Sequence, residues 1–256
     1  LRETGVTRPV VVTTDPAFAF AAPAPAKPQG ARETVLGLAP VEFNQWPVRI
    51  RPWGPAEQCY RWPYYFSWDE DRAKASTALV DAWAQLASHA IRQHGVRVRL
   101  IAMEELDRRI CENILGAIDP ALHSHIDPLY SGELTPADIV AQLRGLDFLI
   151  TSRYHACVLS MANAVPQAAL YHDERLISIY SELGLGHLAI AHDQAGLKTA
   201  LIDAFEHIVA HAATLRREIA ERHRSFFMPR CRQNRELLRD WASAAFPRAL
   251  VPVLST

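Results

Sequence analysis

The chain has 256 residues, which is enough for one large domain or two small ones with a substantial hydrophobic core. Hydrophobic residues make up 49% and charged residues 21%, the balance of an ordinary globular protein. The formal net charge of −1 argues against a nucleic-acid partner. Since no apolar run reaches the roughly 18 residues that span a bilayer, we expect no transmembrane segment.

The first segments of the chain look like the end of a larger unit, so we expect a fragment of a longer protein. Residues 1–7 predict the end of a helix, and residues 8–14 predict a buried strand. Residues 16–33 hold four prolines among alanines, a composition typical of a stiff, extended connector.

Further along the chain, apolar strand patterns alternate with helical periodicities. Strands are predicted at 34–39, 96–102, 125–129, 146–151, 167–171 and 188–191. Helices are predicted from Asp69 to Gly95, at 106–117, from Thr135, at 154–163, 174–183, 195–225 and 230–245, with a break near Met228-Pro229. This alternation is typical of parallel β-α-β units, so the predicted fold is α/β, a Rossmann-like parallel sheet flanked by helices.

Residues 41–68 lack a clean period, and we predict a long, well-packed loop there. The expected domain division is therefore an amino-terminal remnant with its proline-rich linker (1–30), followed by the Rossmann-like domain with terminal helices (31–256).

The most informative motif follows the strand at 146–151, where Arg153 and His155 stand at the start of a helix. The carboxyl ends of strands are where open α/β sheets bind ligands, and a helix start offers N–H groups to an anion. Arg153 adds a planar cation, and His155 adds a group that exchanges protons near neutral pH. Together they predict an anion site with an acid or base, while Ser152 either contacts the ligand or caps the helix.

A second set of polar residues follows the next strand and is expected in the same crevice. Asp173 either orients an acceptor hydroxyl or takes its proton, or it only caps the helix that begins at residue 174. Arg175 either binds an anion or pairs with Glu174 or Glu182 on the surface. His172 is expected to line the crevice beside them.

Other candidates carry weaker signals. Asp69-Glu-Asp71 imitates a metal-binding Asp-x-Asp but stands where helix-capping acids are expected, and His123 and His125 lack a third ligand nearby, so we predict no metal site. The four cysteines lie far apart without a Cys-x-x-Cys pair, which fits a reducing cytoplasm. Aromatic residues and arginines between 46 and 68 either stack on a sugar or form the core of the loop: Trp46, Arg49, Arg51, Trp53, Tyr60, Arg61, Trp62, Tyr64, Tyr65, Phe66 and Trp68.

Residues 145–185 resemble the carboxyl-terminal domain of the polysaccharide pyruvyl transferases, whose two-domain architecture is like that of GT-B glycosyltransferases. The matching elements are Arg153–Ala156, Val165-Pro166, Tyr171–Arg175 and Glu182–Leu185, and Asp15–Phe18 is similar to the family's Asp-Pro-Ala-Phe. The chain departs from the family pattern in three places: Tyr154 replaces leucine, Ala164 replaces glycine and Arg175 replaces lysine. The second departure predicts that Asn163 takes the left-handed turn.

The resemblance implies transfer of pyruvate from phosphoenolpyruvate to hydroxyls of a polysaccharide or lipid-linked sugar, forming a ketal. His155 is then the expected general acid and Arg153 the catalytic anion clamp, with no metal or cofactor beyond the donor substrate. Ser152, Tyr154, His172, Asp173 and Arg175 are the expected substrate-binding residues. A cytoplasmic location, compatible with peripheral membrane association, is expected. The alternatives are a GT-B-type nucleotide-sugar glycosyltransferase and a non-catalytic fragment that binds a glycan or a partner.

Overall fold

The computed structural model describes residues 10–21, 33–44, 48–67 and 69–246, together with Gly5 and Thr7, except for the side chain of Glu57. Most of the predicted helix end at 1–7, most of the proline-rich segment, Trp46 and Trp68 lie outside these residues. The strand predicted at 8–14 is wrong in its described part. Val10–Thr14 is irregular and Val12 is 78% exposed, because no strand of the described chain pairs with this apolar run.

Six strands form one parallel sheet, which confirms the predicted α/β, Rossmann-like class. They are β1 (Val35–Ala39), β5 (Arg97–Ala102), β6 (Ile126–Tyr130), β7 (Phe148–Thr151), β8 (Gln167–Tyr171) and β9 (Ala189–Ala191). The helices are α1 (Glu70–His94), α2 (Arg108–Ala117), α3 (Pro136–Arg144), α4 (Tyr154–Ser160), α5 (Glu174–Leu183), α6 (Leu197–Ala210), α7 (Ala212–Arg222) and α8 (Met228–Ala245). Asp69 and Thr135 cap α1 and α3 through their side chains, as the sequence predicts.

The strand order is β6-β5-β1-β7-β8-β9, with every neighbouring pair parallel. The chain builds outward from β1 to β5 and β6, and then returns through α3 to place β7 on the other side of β1. The direction of building therefore reverses between β1 and β7. Such a reversal opens a crevice beyond the carboxyl ends of the two central strands, which is where ligands bind in sheets of this type.

Helices cover both faces of the sheet, so alternate strand residues enter two separate cores. On one face, Leu38 and Leu100 pack with Trp83 of α1 and Phe205 of α6. On the other face, Ile101 and Leu149 of the sheet pack with α3 and α4. The helix residues in this core are Ile139, Leu143 and Ala156. Burial on both faces explains why the strands read as nearly continuous apolar runs.

The loop predicted at 41–68 contains a small antiparallel sheet instead. Its strands are β2 (Val48–Ile50), β3 (Cys59–Arg61) and β4 (Tyr64–Phe66), in the order β2-β4-β3. Strands of three residues are too short to show a reliable alternation in the sequence, which is why the prediction fails. Tyr65 is buried and packs against Gly54, whereas Trp53 and Trp62 are 80% and 70% exposed, so the segment is not a packed aromatic core.

The carboxyl-terminal helices pack against the segment that contains the turn Pro16–Ala19. The predicted break at Met228-Pro229 is wrong, because the π-helical turn His223–Phe227 leads into α8 and Pro229 lies in the first turn of that helix. Phe18 stacks on Phe227 with ring centroids 4.3 Å apart. The 3-10 turn Pro16–Ala19 thereby lies against α8 and α4, and Asp15 is carried to the start of α4.

The turn that follows α4 differs from the prediction at one residue. Ala164, not Asn163, adopts the left-handed backbone (φ 51°). Asn163 remains in the preceding 3-10 turn, where its Nδ2 donates a hydrogen bond to the Arg144 carbonyl at 3.0 Å. The side-chain bond thus fixes Asn163, and the alanine bears the strained conformation.

Candidate active site

A cavity of about 810 Å³ lies at the reversal point of the sheet. Its walls come from the segments that follow the carboxyl ends of four strands and from one strand of the small sheet: 41–43 after β1, 103–107 and Arg109 after β5, 152–155 after β7, His172 and Arg175 after β8, and Phe66 of β4. Six of the seven residues predicted from the sequence line this cavity, and the seventh, Asp173, contacts two of them.

Arg153 is held in place by two carboxylates that the sequence reasoning did not identify. Its Nε and Nη2 donate to the two carboxylate oxygens of Asp107 at 2.8 and 2.5 Å, and its Nη1 lies 3.1 Å from Glu104. Asp107 is 2% exposed, and burial raises its pKa although Arg153 works in the opposite direction. The two-pronged contact fixes the plane of the guanidinium, while the Glu104 contact involves a carboxylate that is 58% exposed.

His155 projects into the cavity with 55% of its side chain exposed. Its Nε2 lies 3.5 Å from Oδ2 of Asp15, and the ring meets the ring of Tyr154 edge-on at 5.4 Å. Asp15 is itself fixed, since its other oxygen accepts the Ala17 N–H at 2.8 Å. The imidazole is therefore accessible to a ligand and has an anchored carboxylate beside it.

Ser152 does not cap α4, so the capping alternative is wrong, and contact with a ligand stays a prediction. Arg153 occupies the cap position, and the Thr151 hydroxyl accepts a hydrogen bond from the Arg153 N–H at 2.8 Å. The Ser152 hydroxyl is buried and has no hydrogen-bond partner among the described residues. Because α4 has only seven residues, its dipole contributes little to anion binding compared with the guanidinium charges.

Tyr154 and His172 give the cavity partly apolar walls. Burial raises the pKa of Tyr154 to about 12, so its hydroxyl stays protonated at neutral pH. The His172 ring lies 4.3 Å from the ring of Phe43, and burial lowers the pKa of His172 although Asp173 opposes the shift. His172 is therefore a neutral hydrogen-bonding group at pH 7.

Asp173 and Arg175 form a local pair at the start of α5. Asp173 caps the helix by accepting the Arg175 N–H at 3.0 Å, and its other oxygen accepts from Nε and Nη2 of Arg175 at 3.0 and 2.6 Å. Burial works to raise the pKa of Asp173, but the hydrogen bonds and charge of Arg175 outweigh it and the pKa is lowered. The sequence allowed an ion pair between Arg175 and Glu174 or Glu182. In the structure Arg175 pairs with Asp173.

Charge is distributed unevenly around the cavity. The walls after β7 and β8 carry the cationic side chains of Arg153 and Arg175 together with His155 and His172. The walls after β1 and β5 carry carboxylates, with Glu42 buried and bonded to the Ser76 hydroxyl at 2.5 Å. The carboxylates on this side are Glu42, Glu104, Glu105 and Asp107, with Arg109 among them.

The remaining sequence candidates have structural roles in the described chain. Asp69 caps α1 by accepting the Arg72 N–H at 2.9 Å, and Asp71 pairs with Lys74. His123 contacts the Ile118 carbonyl at 3.1 Å within a 3-10 turn that ends at His125. Neither set belongs to a three-ligand cluster among the described residues.

The small sheet presents one face toward the cavity. Phe66 lines the cavity, and Tyr64 lies two residues before it on the same side of β4. The cross-strand register pairs Ile50 with Tyr64 and Arg49 with Tyr65, so Arg49 belongs to the opposite face. The Tyr60 and Phe66 rings lie 5.7 Å apart, which extends the aromatic surface beyond the cavity rim.

Asp15, Glu42, Glu104 and Asp107 are among the cavity or near-cavity groups that the sequence analysis did not identify. A signal existed for three of them, because Glu42, Glu104 and Asp107 follow predicted strands at the edge where the sheet binds ligands. Asp15 belongs to the Asp-Pro-Ala-Phe motif, but its approach to His155 depends on packing between distant segments.

No helix in the described part of the chain has the length and apolar character needed to cross a membrane.

Comparison with known proteins supports the resemblance drawn from the motifs. A sequence model of the polysaccharide pyruvyl transferases matches residues 1–174, which include the Asp15 motif, β1 through β8 and the residues around Arg153 and His155. No curated protein matches the chain. The family name describes transferases that act on a sugar acceptor. With two thirds of its length matched, this chain belongs to the polysaccharide pyruvyl transferase family.

Proposed function

We propose that this protein transfers pyruvate from phosphoenolpyruvate to two hydroxyl groups of a sugar, in a polysaccharide or its lipid-linked precursor, and forms a ketal. The observation that carries the proposal is the division of the cavity into a cationic side after β7 and β8 and a carboxylate-lined side after β1 and β5. A donor with two anionic groups suits the first side, and a polyhydroxyl acceptor suits the second.

On the donor side, Arg153 supplies a cation whose plane is already set by Asp107. Glu104 is largely exposed, so the donor phosphate or carboxylate can replace it at Nη1 at small energetic cost. Arg175 lies across the same wall and provides a second cation for the other acidic group of the donor. Ser152 lies in the same wall, and its buried hydroxyl lacks a partner in the described chain.

His155 is the proposed general acid. His155 gives its proton to the donor's methylene carbon, which makes the adjacent carbon electrophilic. A sugar hydroxyl then bonds to that carbon and returns its proton to His155. A second sugar hydroxyl then bonds to the same carbon while the bond between that carbon and the phosphate oxygen breaks. The proton of this second hydroxyl leaves with the phosphate. General acid catalysis of this kind typically contributes about 10²–10⁴-fold in rate.

On the acceptor side, ionised carboxylates accept hydrogen bonds from sugar hydroxyls, and aromatic rings stack on sugar faces. Glu42 is buried and already bonded to Ser76, so Glu104 and Glu105 are the more accessible acceptors. Phe66 and Tyr64 place the small sheet beside this wall. We assign acceptor binding to this side of the cavity.

In this scheme Asp173 orients Arg175, and His172 donates or accepts a hydrogen bond without carrying charge. The chemistry calls for no metal or organic cofactor, and phosphoenolpyruvate is the donor substrate. The proposed setting is the cytoplasm, with peripheral attachment where the acceptor is lipid-linked.

Donor competition tests the proposal against a nucleotide-sugar glycosyltransferase. Phosphoenolpyruvate should raise the thermal midpoint of the purified protein, and a nucleotide sugar should not. Arg153→Lys, which keeps the charge but loses the two-pronged geometry, should weaken the phosphoenolpyruvate effect. A midpoint that responds to nucleotide sugars alone would favour the glycosyltransferase, and a response to neither would favour a non-catalytic glycan- or partner-binding role.

A further inference from the structure

Two histidines and a glutamate converge on the side of the domain formed by α1 and α6. The Nε2 atoms of His89 and His94 lie 2.6 and 2.9 Å from the same oxygen, Oε1 of Glu206. One potential ligand atom from each residue lies within 4.8 Å of the others. Each of the three side chains is partly exposed, so an ion from solution can reach them.

This cluster is remote from the proposed active site. His94 is the last residue of α1, and three residues later Arg97 begins β5, opposite Val35 at the start of β1. The cluster therefore lies at the amino ends of the strands, whereas the cavity lies at their carboxyl ends. An ion held here would join α1 to α6 without entering the reaction.

We propose that His89, His94 and Glu206 bind a divalent transition-metal ion of the zinc class, which cross-links α1 and α6. Two imidazole nitrogens and one carboxylate oxygen are ligands that zinc accepts, and a water molecule completes four-coordination. Tetrahedral zinc keeps its ligand atoms about 3.3 Å apart at bond lengths of about 2.0–2.2 Å. The two distances from the histidine nitrogens to Glu206 Oε1, 2.6 and 2.9 Å, must therefore lengthen by less than an ångström.

The arrangement already holds the two rings and the carboxylate in positions from which they can bind a metal ion. Both Nε2 atoms face one oxygen, so without an ion each ring must carry its proton on that nitrogen. The His94 ring is braced edge-on by buried Phe205 at 5.2 Å, which limits its reorientation. Oε1 of Glu206 lies within hydrogen-bond distance of both rings, so a carboxylate oxygen is already placed as the third ligand.

Zinc titration of the chelator-treated protein at pH 7.5, followed by calorimetry, tests this proposal. The expected result is one ion per chain, with the thermal midpoint raised by about 5–10 °C at a free zinc concentration a hundred times the Kd. His94→Gln and Glu206→Gln should each weaken zinc binding by at least about tenfold. Circular dichroism checks that both variants retain the fold.

His211→Gln is the matched control. His211 follows α6, stacks on His207 at 4.2 Å and belongs to a separate group of rings, so its loss should leave zinc binding unchanged. Failure of the wild-type protein to bind zinc stoichiometrically would overturn the proposal. Wild-type affinity in both His94→Gln and Glu206→Gln, or loss of binding in His211→Gln, would overturn it as well.

Discussion

Asp15 Oδ2 lies 3.5 Å from His155 Nε2, although the two residues are far apart in the sequence. The contact exists because Phe18 stacks on Phe227 and presses the 3-10 turn Pro16–Ala19 against α4 and α8. The Asp-Pro-Ala-Phe segment thus places a carboxylate beside the proposed acid. This relationship gives Asp15 a positioning role that can be measured.

Asp15→Asn should lower kcat by about tenfold while the KM for phosphoenolpyruvate stays nearly constant. Asparagine keeps the oxygen that accepts the Ala17 N–H but removes the charge that faces His155. Steady-state kinetics across pH would measure both effects. Asp203→Asn, an exposed change on α6, is the control, and an unchanged kcat in Asp15→Asn would remove Asp15 from the account.

Asp107→Asn should reduce the free energy of unfolding by about 2 kcal/mol, because a buried charged partner of Arg153 is lost. It should also raise the KM for phosphoenolpyruvate, since the guanidinium is no longer held in one plane. Urea denaturation provides the first value. Glu133→Gln, which weakens an exposed pair with Arg108, should cost much less, and equal losses in the two variants would contradict a special role for Asp107.

Tyr64→Ala should raise the KM for the sugar acceptor by about tenfold without changing the KM for the donor. Tyr64 continues the face of the small sheet on which Phe66 reaches the cavity, and loss of a ring that stacks on sugar weakens binding. Arg49→Ala removes an exposed side chain from the opposite face of the same sheet and should have no effect. If both variants behave alike, the small sheet does not bind the acceptor through this face.

Stability should fall as the pH is lowered from about 6.5 toward 5. Burial lowers the pKa values of His172 and His223 below the ordinary 6.5, so in this range the unfolded chain binds protons that the folded chain does not. Carboxylates with lowered pKa values, such as Glu206, affect the pH dependence of stability only below about pH 4.5. Urea denaturation at several pH values should show this slope, and His223→Gln should flatten it; an unaltered slope in that variant would show that His223 does not contribute.

Local patterns in the sequence predict most of the sheet domain. The sequence predicts the alternation of strands and helices, the caps at Asp69 and Thr135, and the polar cluster of Arg153 and His155 after β7. Each of these features depends on residues close together in the chain. Six predicted site residues meet in one cavity for the same reason, since carboxyl ends of parallel strands share an edge.

Features that depend on distant contacts were not predictable. The clamp of Asp107 on Arg153 joins a segment after β5 to one after β7, and the place of Asp107 after a strand does not show which cation it binds. The apolar run Val10–Thr14 has strand composition but no neighbour to pair with among the described strands. Ala164 bears the left-handed turn because Asn163 is held by the Arg144 carbonyl, a contact that the sequence alone does not show.

The most direct test of the central claim compares phosphoenolpyruvate binding and turnover in His155→Ala. With a lipid-linked or polysaccharide acceptor fraction from the producing organism, turnover should fall by about 10²–10⁴-fold. The Kd for phosphoenolpyruvate should change by less than about threefold, because Arg153 and Arg175 hold the donor. Wild-type turnover in His155→Ala would show that His155 is not the general acid.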